Sequence, residues 1–207
     1  MQTAVLVPVK AFAAAKRRLA HAVADHDRRR LARWMADGVV TAAAPLPVFV
    51  ACDDDEVAAW AEEHGATVLW GPGLGLNGAI DHGIATIAGK GFDHVIVAHG
   101  DLPLPAALPT VAEPGTVVLV PDRRRDGTNV LARPCGVTLP AEYGGGSFRR
   151  HLTAALASGA AVRVRRDPAL SIDVDTVADC RHPAVAAALR AAGLPVPDAP
   201  PWNPAHR

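Results

Sequence analysis

Apolar residues fall along this chain in short unbroken runs, separated by longer stretches where they recur at helical spacing. Residues 4–9 (AVLVPV), 47–52 (PVFVAC), 66–70 (ATVLW), 95–98 (VIVA), 116–120 (TVVLV) and 129–134 (NVLARP) are such runs. Their length and β-branching predict strands, several of them covered on both faces. Residues 161–165 (AVRVR) alternate instead, as a half-exposed strand should. Between the runs, Leu31, Trp34, Met35, Gly38 and Val39 recur at helical spacing, with Arg28, Arg29, Arg30 and Arg33 largely opposite. That pattern predicts a helix over 25–42 with Trp34 and Met35 in the core and the arginines on a solvated face. Residues 53–65 predict a helix with an acidic first turn and a stop at Gly65. Further helices are expected from about Ala79 to Ala88, from near Ser147 to Gly159, and over 176–193 with a break at Pro183.

Strands alternating with helices at short intervals imply βαβ units and a mostly parallel sheet, hence one α/β domain. The domain is expected over 1–192, followed by a Pro-rich tail over 193–207 that is extended on the surface or disordered. The chain has 207 residues, half of them hydrophobic, enough for a sizeable core. Lys plus Arg and Asp plus Glu are balanced at 21 each, which gives no electrostatic reason for a nucleic-acid or membrane partner. Cys52, Cys135 and Cys180 are far apart and form no CxxC, which argues against a disulfide framework and suits a reducing compartment. The nine histidines show no HxxxH or HExxH pattern. The start, MQTAVLVPVK, lacks a basic n-region and a long apolar segment, so a soluble cytoplasmic protein is expected.

In open α/β sheets, ligands bind beyond the carboxyl ends of the strands, and the loops expected there carry pointed chemistry. Lys10 and Lys16 follow the first strand and could neutralise phosphate oxygens, although Lys16, Arg17 and Arg18 also read as surface charge. No GxxxxGK[ST] is present. Asn77, in a Gly-flanked loop, could read a base or a ribose, or simply be a turn residue. PDRRRDGTNVL (121–131) sets a Thr hydroxyl and backbone N–H groups beside arginines, which suits a phosphorylated, carboxylated small molecule, or else a polar hairpin turn. YGGGSF (143–148) offers N–H groups and Ser147 at a helix start, either an anion site or an ordinary N-cap. HGDLPLP (99–105) places Asp101 past a buried strand and braces it with Pro103 and Pro105. A second acidic loop, SIDVDTVAD (171–179), is expected to follow a short strand, with Asp173 and Asp175 on one side. Asp101 together with Asp173 or Asp175 could converge on Mg²⁺, which takes few carboxylates plus substrate phosphates. His99 reads as a supporting residue or core neighbour.

Taken together, PVKAFAAAKRRLA, GLNGAI, HGDLPLP, PDRRRDGTNVL, YGGGSFRRHL and IDVDT run from Pro8 to Thr176, and in that order the chain resembles the guanylyltransferases of coenzyme F420 biosynthesis. The resemblance implies a single-domain Rossmann-like nucleotidyltransferase fold of the nucleotide-diphospho-sugar transferase type, with a mostly parallel mixed sheet. It implies that Pro8, Lys10, Lys16, Asn77 and Gly78 contact GTP, the lysines at its phosphates and Asn77 near the nucleoside. It implies that Asp101 and an Asp of IDVD hold Mg²⁺, and that Thr128, Gly144 and Ser147 hold a three-carbon phospho-acid. Phosphoenolpyruvate is the first choice for that acid, with 2-phospho-L-lactate or 3-phosphoglycerate next, and the product would pass to a downstream transferase of the pathway. Lys10, Lys16 and Asp101 are then the catalytic candidates. The chain departs from the family pattern at Val177, where proline is usual, and at Arg125, where a smaller residue is common. The competing readings are a nucleotidyltransferase for another acceptor, such as molybdopterin or a sugar acid, and a nucleotide-binding regulatory protein without catalysis.

Overall fold

The structure, a computed structural model, describes residues 1–198, so residues 199–207 of the expected tail lie outside the described residues. Its elements are β1 (Thr3–Pro8), α1 (Asp25–Ala43), β2 (Val48–Cys52), α2 (Asp55–Glu63), β3 (Thr67–Trp70), α3 (Gly75–Gly89), β4 (His94–Ala98), β5 (Thr116–Pro121), β6 (Thr128–Pro134), α4 (Ser147–Ala157), β7 (Ala161–Val164), α5 (Val177–Cys180) and α6 (Pro183–Ala191). The seven strands form one sheet in the order β3-β2-β1-β4-β6-β5-β7. Every neighbouring pair is parallel except those of β6, which runs antiparallel to both β4 and β5. The chain winds outward from β1 to β3 and then returns to the other side of β1 as β4. The crevice between the ends of β1 and β4 is therefore the topological switch point, where such sheets bind ligands. Register sets what meets there: Leu6 lies beside Val97, and Ala98 beside Val130, so the ends of β1 and β4 and the start of β6 share one edge.

The unbroken apolar runs reflect burial from both sides. Val5, Val7, Val50 and Ile96 pack toward α1 and α2, while Leu6, Phe49, Val95 and Val97 pack toward α3 and α4. Each such side chain contributes ~1.5–3 kcal/mol on full burial. Gly83 shows how close the second layer lies: a Cβ there would sit 2.7 Å from Leu6 Cδ2, so even alanine would force the Leu6 side chain or α3 to shift. A third cluster joins Leu31 and Met35 of α1 to Ile172, Val174, Val185 and Leu189, with Leu194 beside them.

Three expectations need correction. The helix expected from Ala79 begins at Gly75, so Asn77 and Gly78 lie in its first turns and not in a loop. Its glycines read as loop residues, but Ile80, Ile84 and Ile87 form an apolar stripe whose packing overrides that propensity. The acidic loop does not follow a strand directly: β7 ends at Val164, and the segment is pinned instead by Ile172 and Val174 in the third cluster, outside the sheet. Arg28 is buried and not solvated, donating to the Val23 carbonyl at 2.9 Å and pairing with Asp25 at 2.9 Å. The break at Pro183 falls where expected, with the proline opening α6.

Candidate active site

Past Pro8 the chain makes two single 3-10 turns, Phe12–Ala14 and Arg17–Leu19, each anchored by a buried apolar residue, Phe12 and Leu19. Lys16 lies between them in the left-handed conformation, φ 53°. A non-glycine residue there stores ~1–3 kcal/mol of strain unless its surroundings hold it. What holds it is a pair of carboxylates distant in sequence: Lys16 Nζ donates to Asp101 Oδ2 at 2.7 Å and to Asp175 Oδ1 at 3.1 Å. Arg18 donates to the other oxygen of Asp175 at 3.0 Å. Burial alone would lower the Lys16 pKa, but the charges of Asp101 and Asp175 more than offset it and hold it above the ordinary value.

Asp101 and the acidic loop are brought together by simple means. Ile172 and Val174 turn inward, so Asp173 and Asp175 turn the other way, and the Val174 N–H bonds to the Asp101 carbonyl at 3.4 Å. Burial would raise the Asp101 carboxyl, yet Lys16 beside it keeps its pKa below the usual range. Asp173 goes the other way: burial first, then the charges of Asp101 and Asp175, push its pKa up to about 6. Asp101 Oδ1 is buried with no hydrogen-bond partner among the described residues. An unpaired carboxylate oxygen beside a crowded second carboxyl is the chemistry of a cation site. Among the described residues no three His, Cys, Asp or Glu side chains are grouped to cage a metal by themselves. A site completed by substrate oxygens, as Mg²⁺ prefers, needs no such cage.

Two cavities meet at this cluster. The first, about 390 Å³, is lined by Pro8, Lys10, Lys16, Met35 and Leu76 among others. The second, about 300 Å³, is lined by Arg124, Thr128, Gly144, Ser147 and Asp173 among others. Arg18, His99, Asp101 and Asp175 border both. The second cavity is built on the hairpin loop between β5 and β6. Asp122 closes that loop by accepting from the Asp126 and Gly127 N–H groups at 3.0 and 2.9 Å. Asp126 reaches on to the Gly146 N–H at 3.1 Å, which ties the hairpin to the start of α4. Arg123 is anchored on Asp179 at 2.5 Å, while Arg124 stays exposed at the cavity edge. Ser147 is not an N-cap: Gly146 holds that position with φ 71°, and Ser147 Oγ accepts from the Thr128 N–H at 3.1 Å.

The structure thus brings Pro8, Lys10, Lys16, Asp101, Asp173, Asp175, Thr128, Gly144 and Ser147 to one edge of the sheet. Asn77 and Gly78 line neither cavity. The Asn77 amide uses both ends on the Tyr143 backbone, accepting its N–H at 2.8 Å and donating to its carbonyl at 3.3 Å. It fixes the strap that carries Gly144. Three contributors lay outside the sequence-based assignment: Arg18, Tyr143 and His151. Tyr143 packs between His99 and His151, with ring centroids 4.9 and 4.6 Å away. The one sequence signal for His151 is its i+4 spacing from Ser147, which puts both on one face of α4.

Comparison with known proteins fits this geometry. The family model described as "Guanylyl transferase CofC like" matches residues 3–182. A phosphoenolpyruvate guanylyltransferase of Sphaerobacter thermophilus is 37% identical over 193 residues, covering 86% of this chain and 91% of that protein. One of the same name from Rubrobacter xylanophilus is 38% identical, covering 86% and 92%. In fold, the chain is similar to a provisional nucleotide-diphospho-sugar transferase from Desulfovibrio desulfuricans G20, with a TM-score of 0.72, 17% identity, and coverage of 93% of this chain and 95% of that one.

Proposed function

The chain belongs to the CofC-like guanylyl transferase family, and from that premise we propose that it transfers GMP from GTP to the phosphate of phosphoenolpyruvate, with release of pyrophosphate, in coenzyme F420 biosynthesis. The observation that carries this reading is the pair of cavities sharing one wall of Arg18, His99, Asp101 and Asp175. Each cavity supplies what one anionic substrate needs. The first has Lys10 and Lys16 for a triphosphate, and the second has Arg124 with the Thr128 and Ser147 hydroxyls for a small phosphorylated acid.

An oxygen of the acid's phosphate attacks the α-phosphorus of GTP in line. The new bond joins the two phosphates, and the bond to pyrophosphate breaks with its electron pair. The attacking phosphate is already anionic at neutral pH, so no general base is required, and His99, whose pKa burial lowers, is not called on as one. Catalysis rests on placing two anions at the shared wall and neutralising their charge. Arg18 stands in that wall, free to swing from Asp175 because it is exposed, and Lys16 lines the first cavity beside it, held by the wall's two carboxylates. Asp101, with Asp175 or Asp173, would hold Mg²⁺, which supplies charge neutralisation on phosphate oxygens. The unpaired Asp101 Oδ1 and the crowded Asp173 fit that role.

Pyrophosphate release by the purified chain with Mg²⁺ and GTP, adding phosphoenolpyruvate, 2-phospho-L-lactate or 3-phosphoglycerate separately, tests the proposal. Release with phosphoenolpyruvate and GTP, but not with ATP or CTP, is expected. No release with any acid, from folded protein that binds GTP, would move the assignment to another acceptor or to a regulatory role. Handover of the product to a downstream transferase belongs to the same proposal.

A further inference from the structure

The second cavity contains two hydroxyls whose hydrogen-bond directions can be worked out, and they reveal a residue that sets them. Thr128 is 3% exposed, Ser147 2% and His151 0%. The Glu142 backbone N–H points at His151 Nε2 at 3.0 Å. A backbone N–H can only donate, so Nε2 carries no proton and accepts. The neutral ring then bears its proton on Nδ1. Nδ1 lies 3.0 Å from Thr128 Oγ1, so His151 donates and the threonine oxygen accepts. Burial, then the charges of Arg150 and His99, lowers the His151 pKa to about 4, which agrees with a neutral ring. Ser147 repeats the pattern, its oxygen accepting from the Thr128 N–H at 3.1 Å.

Each hydroxyl has one proton to give. With both oxygens taken up as acceptors of protein donors, and no protein acceptor for either hydroxyl hydrogen among the described residues, the two hydrogens are left for a ligand. A carboxylate or phosphate is the ligand that takes two such donors. A histidine of the opposite tautomer would demand the Thr128 hydrogen and turn the hydroxyl away from an anion.

We propose that His151 is a positioning residue of the acid subsite: its Nδ1–H fixes Thr128 so that the hydroxyl hydrogen is offered to the phospho-acid. The proposal rests on the functional reading above for the identity of that ligand. It assigns His151 no contact with substrate and no proton transfer.

Two measurements test it. The first needs no substrate and no variant: long-range ¹H–¹⁵N correlation on ¹⁵N-labelled protein should show His151 protonated on Nδ1 and bare on Nε2. A proton on Nε2 overturns the proposal. The second compares Thr128→Val, His151→Phe, their double variant and His151→Asn, whose side-chain amide can put an N–H near the Nδ1 position. Thr128→Val and His151→Phe should each raise KM for the acid on the order of tenfold, as loss of a hydrogen bond to a charged group does, while KM for GTP moves less than about twofold. The double variant should be no worse than Thr128→Val alone, because both remove the same bond. His151→Asn should recover most of the wild-type KM. An unchanged acid KM in His151→Phe, additive losses in the double variant, or equal rises in both KM values would overturn the positioning role. Should His151→Phe not fold, an acid KM raised in His151→Asn as far as in Thr128→Val would overturn it as well. Wild-type protein that turns over none of the acids sinks the functional reading instead, and the tautomer spectrum reads the hydrogen-bond assignment independently of that result.

Discussion

Replacing Lys16 with methionine keeps the length of the side chain and removes the charge that holds two carboxylates together. In the folded protein Lys16 is 8% exposed and bonds to Asp101 at 2.7 Å and to Asp175 at 3.1 Å. Removing one partner of a fully buried ion pair costs ~3–5 kcal/mol, because the charge left behind is neither solvated nor paired. Here the carboxylates are not fully buried: Asp101 keeps 26% exposure and Asp175 40%, and Arg18 still pairs with Asp175. Solvent screening therefore reduces the expectation to ~2–3 kcal/mol. For a chain of this length, each kcal/mol moves Tm by ~2–4 °C, so Lys16→Met should melt ~4–12 °C lower in the presence of a chelator. Adding Asp101→Asn removes the stranded charge and should restore at least half of the loss. Thermal denaturation followed by circular dichroism, with urea melts for the free energies, reads both effects. Lys16→Met melting with the wild type, or no rescue by Asp101→Asn, would refute the idea that this lysine organises the carboxylate cluster.

Three further outcomes follow from the same geometry. Asp101→Ala should lower kcat by ~10²-fold or more while the circular dichroism spectrum stays native, and near-normal turnover would remove Asp101 from the catalytic machinery. Asp173 has its folded-state pKa raised to about 6 from an ordinary 3.8, so its stability contribution is complete below about pH 4 and is lost as pH rises to about 6. In chelator, Asp173→Asn should accordingly match the wild type near pH 4 and exceed it by ~1–3 kcal/mol at pH 7, and a pH-independent difference in urea melts would contradict this. Asn77→Ala loses both amide bonds to the Tyr143 backbone and should destabilise by ~1–3 kcal/mol while raising KM for the acid more than KM for GTP, whereas a larger effect on GTP would place Asn77 at the nucleoside after all.

How much of this was legible in the sequence depends on how far apart the interacting residues are. The buried strands announce themselves because Val5–Val7 and Val95–Val97 are covered on both faces, and the polar loops at their ends follow from the fold class. The order of the motifs then points to one edge of the sheet, and the structure assembles nine of the predicted residues there. What spacing does not reveal is pairing over long separations. Lys16 meets a carboxylate 85 residues on and another 159 residues on, whereas its place after the first strand suggests only phosphate contacts or surface charge. Glycine neighbours signal a loop around Asn77, whereas packing of α3 against β1 makes that stretch helical and turns the amide onto Tyr143. His151 reads as one polar residue in an amphipathic helix, and only the direction of the Glu142 N–H gives it a role.

In the proposed reaction an oxygen of a phospho-acid in the second cavity attacks the α-phosphorus of a nucleotide in the first. The most direct test uses phosphoenolpyruvate labelled with ¹⁸O at the non-ester oxygens of its phosphate, with unlabelled GTP and Mg²⁺, followed by mass spectrometry of the products. The expected products are a diphosphate joining guanosine to the acid that keeps every label, one of them in the bridge, and pyrophosphate that carries none. Labelled pyrophosphate, or a diphosphate product that has lost a label, would contradict it.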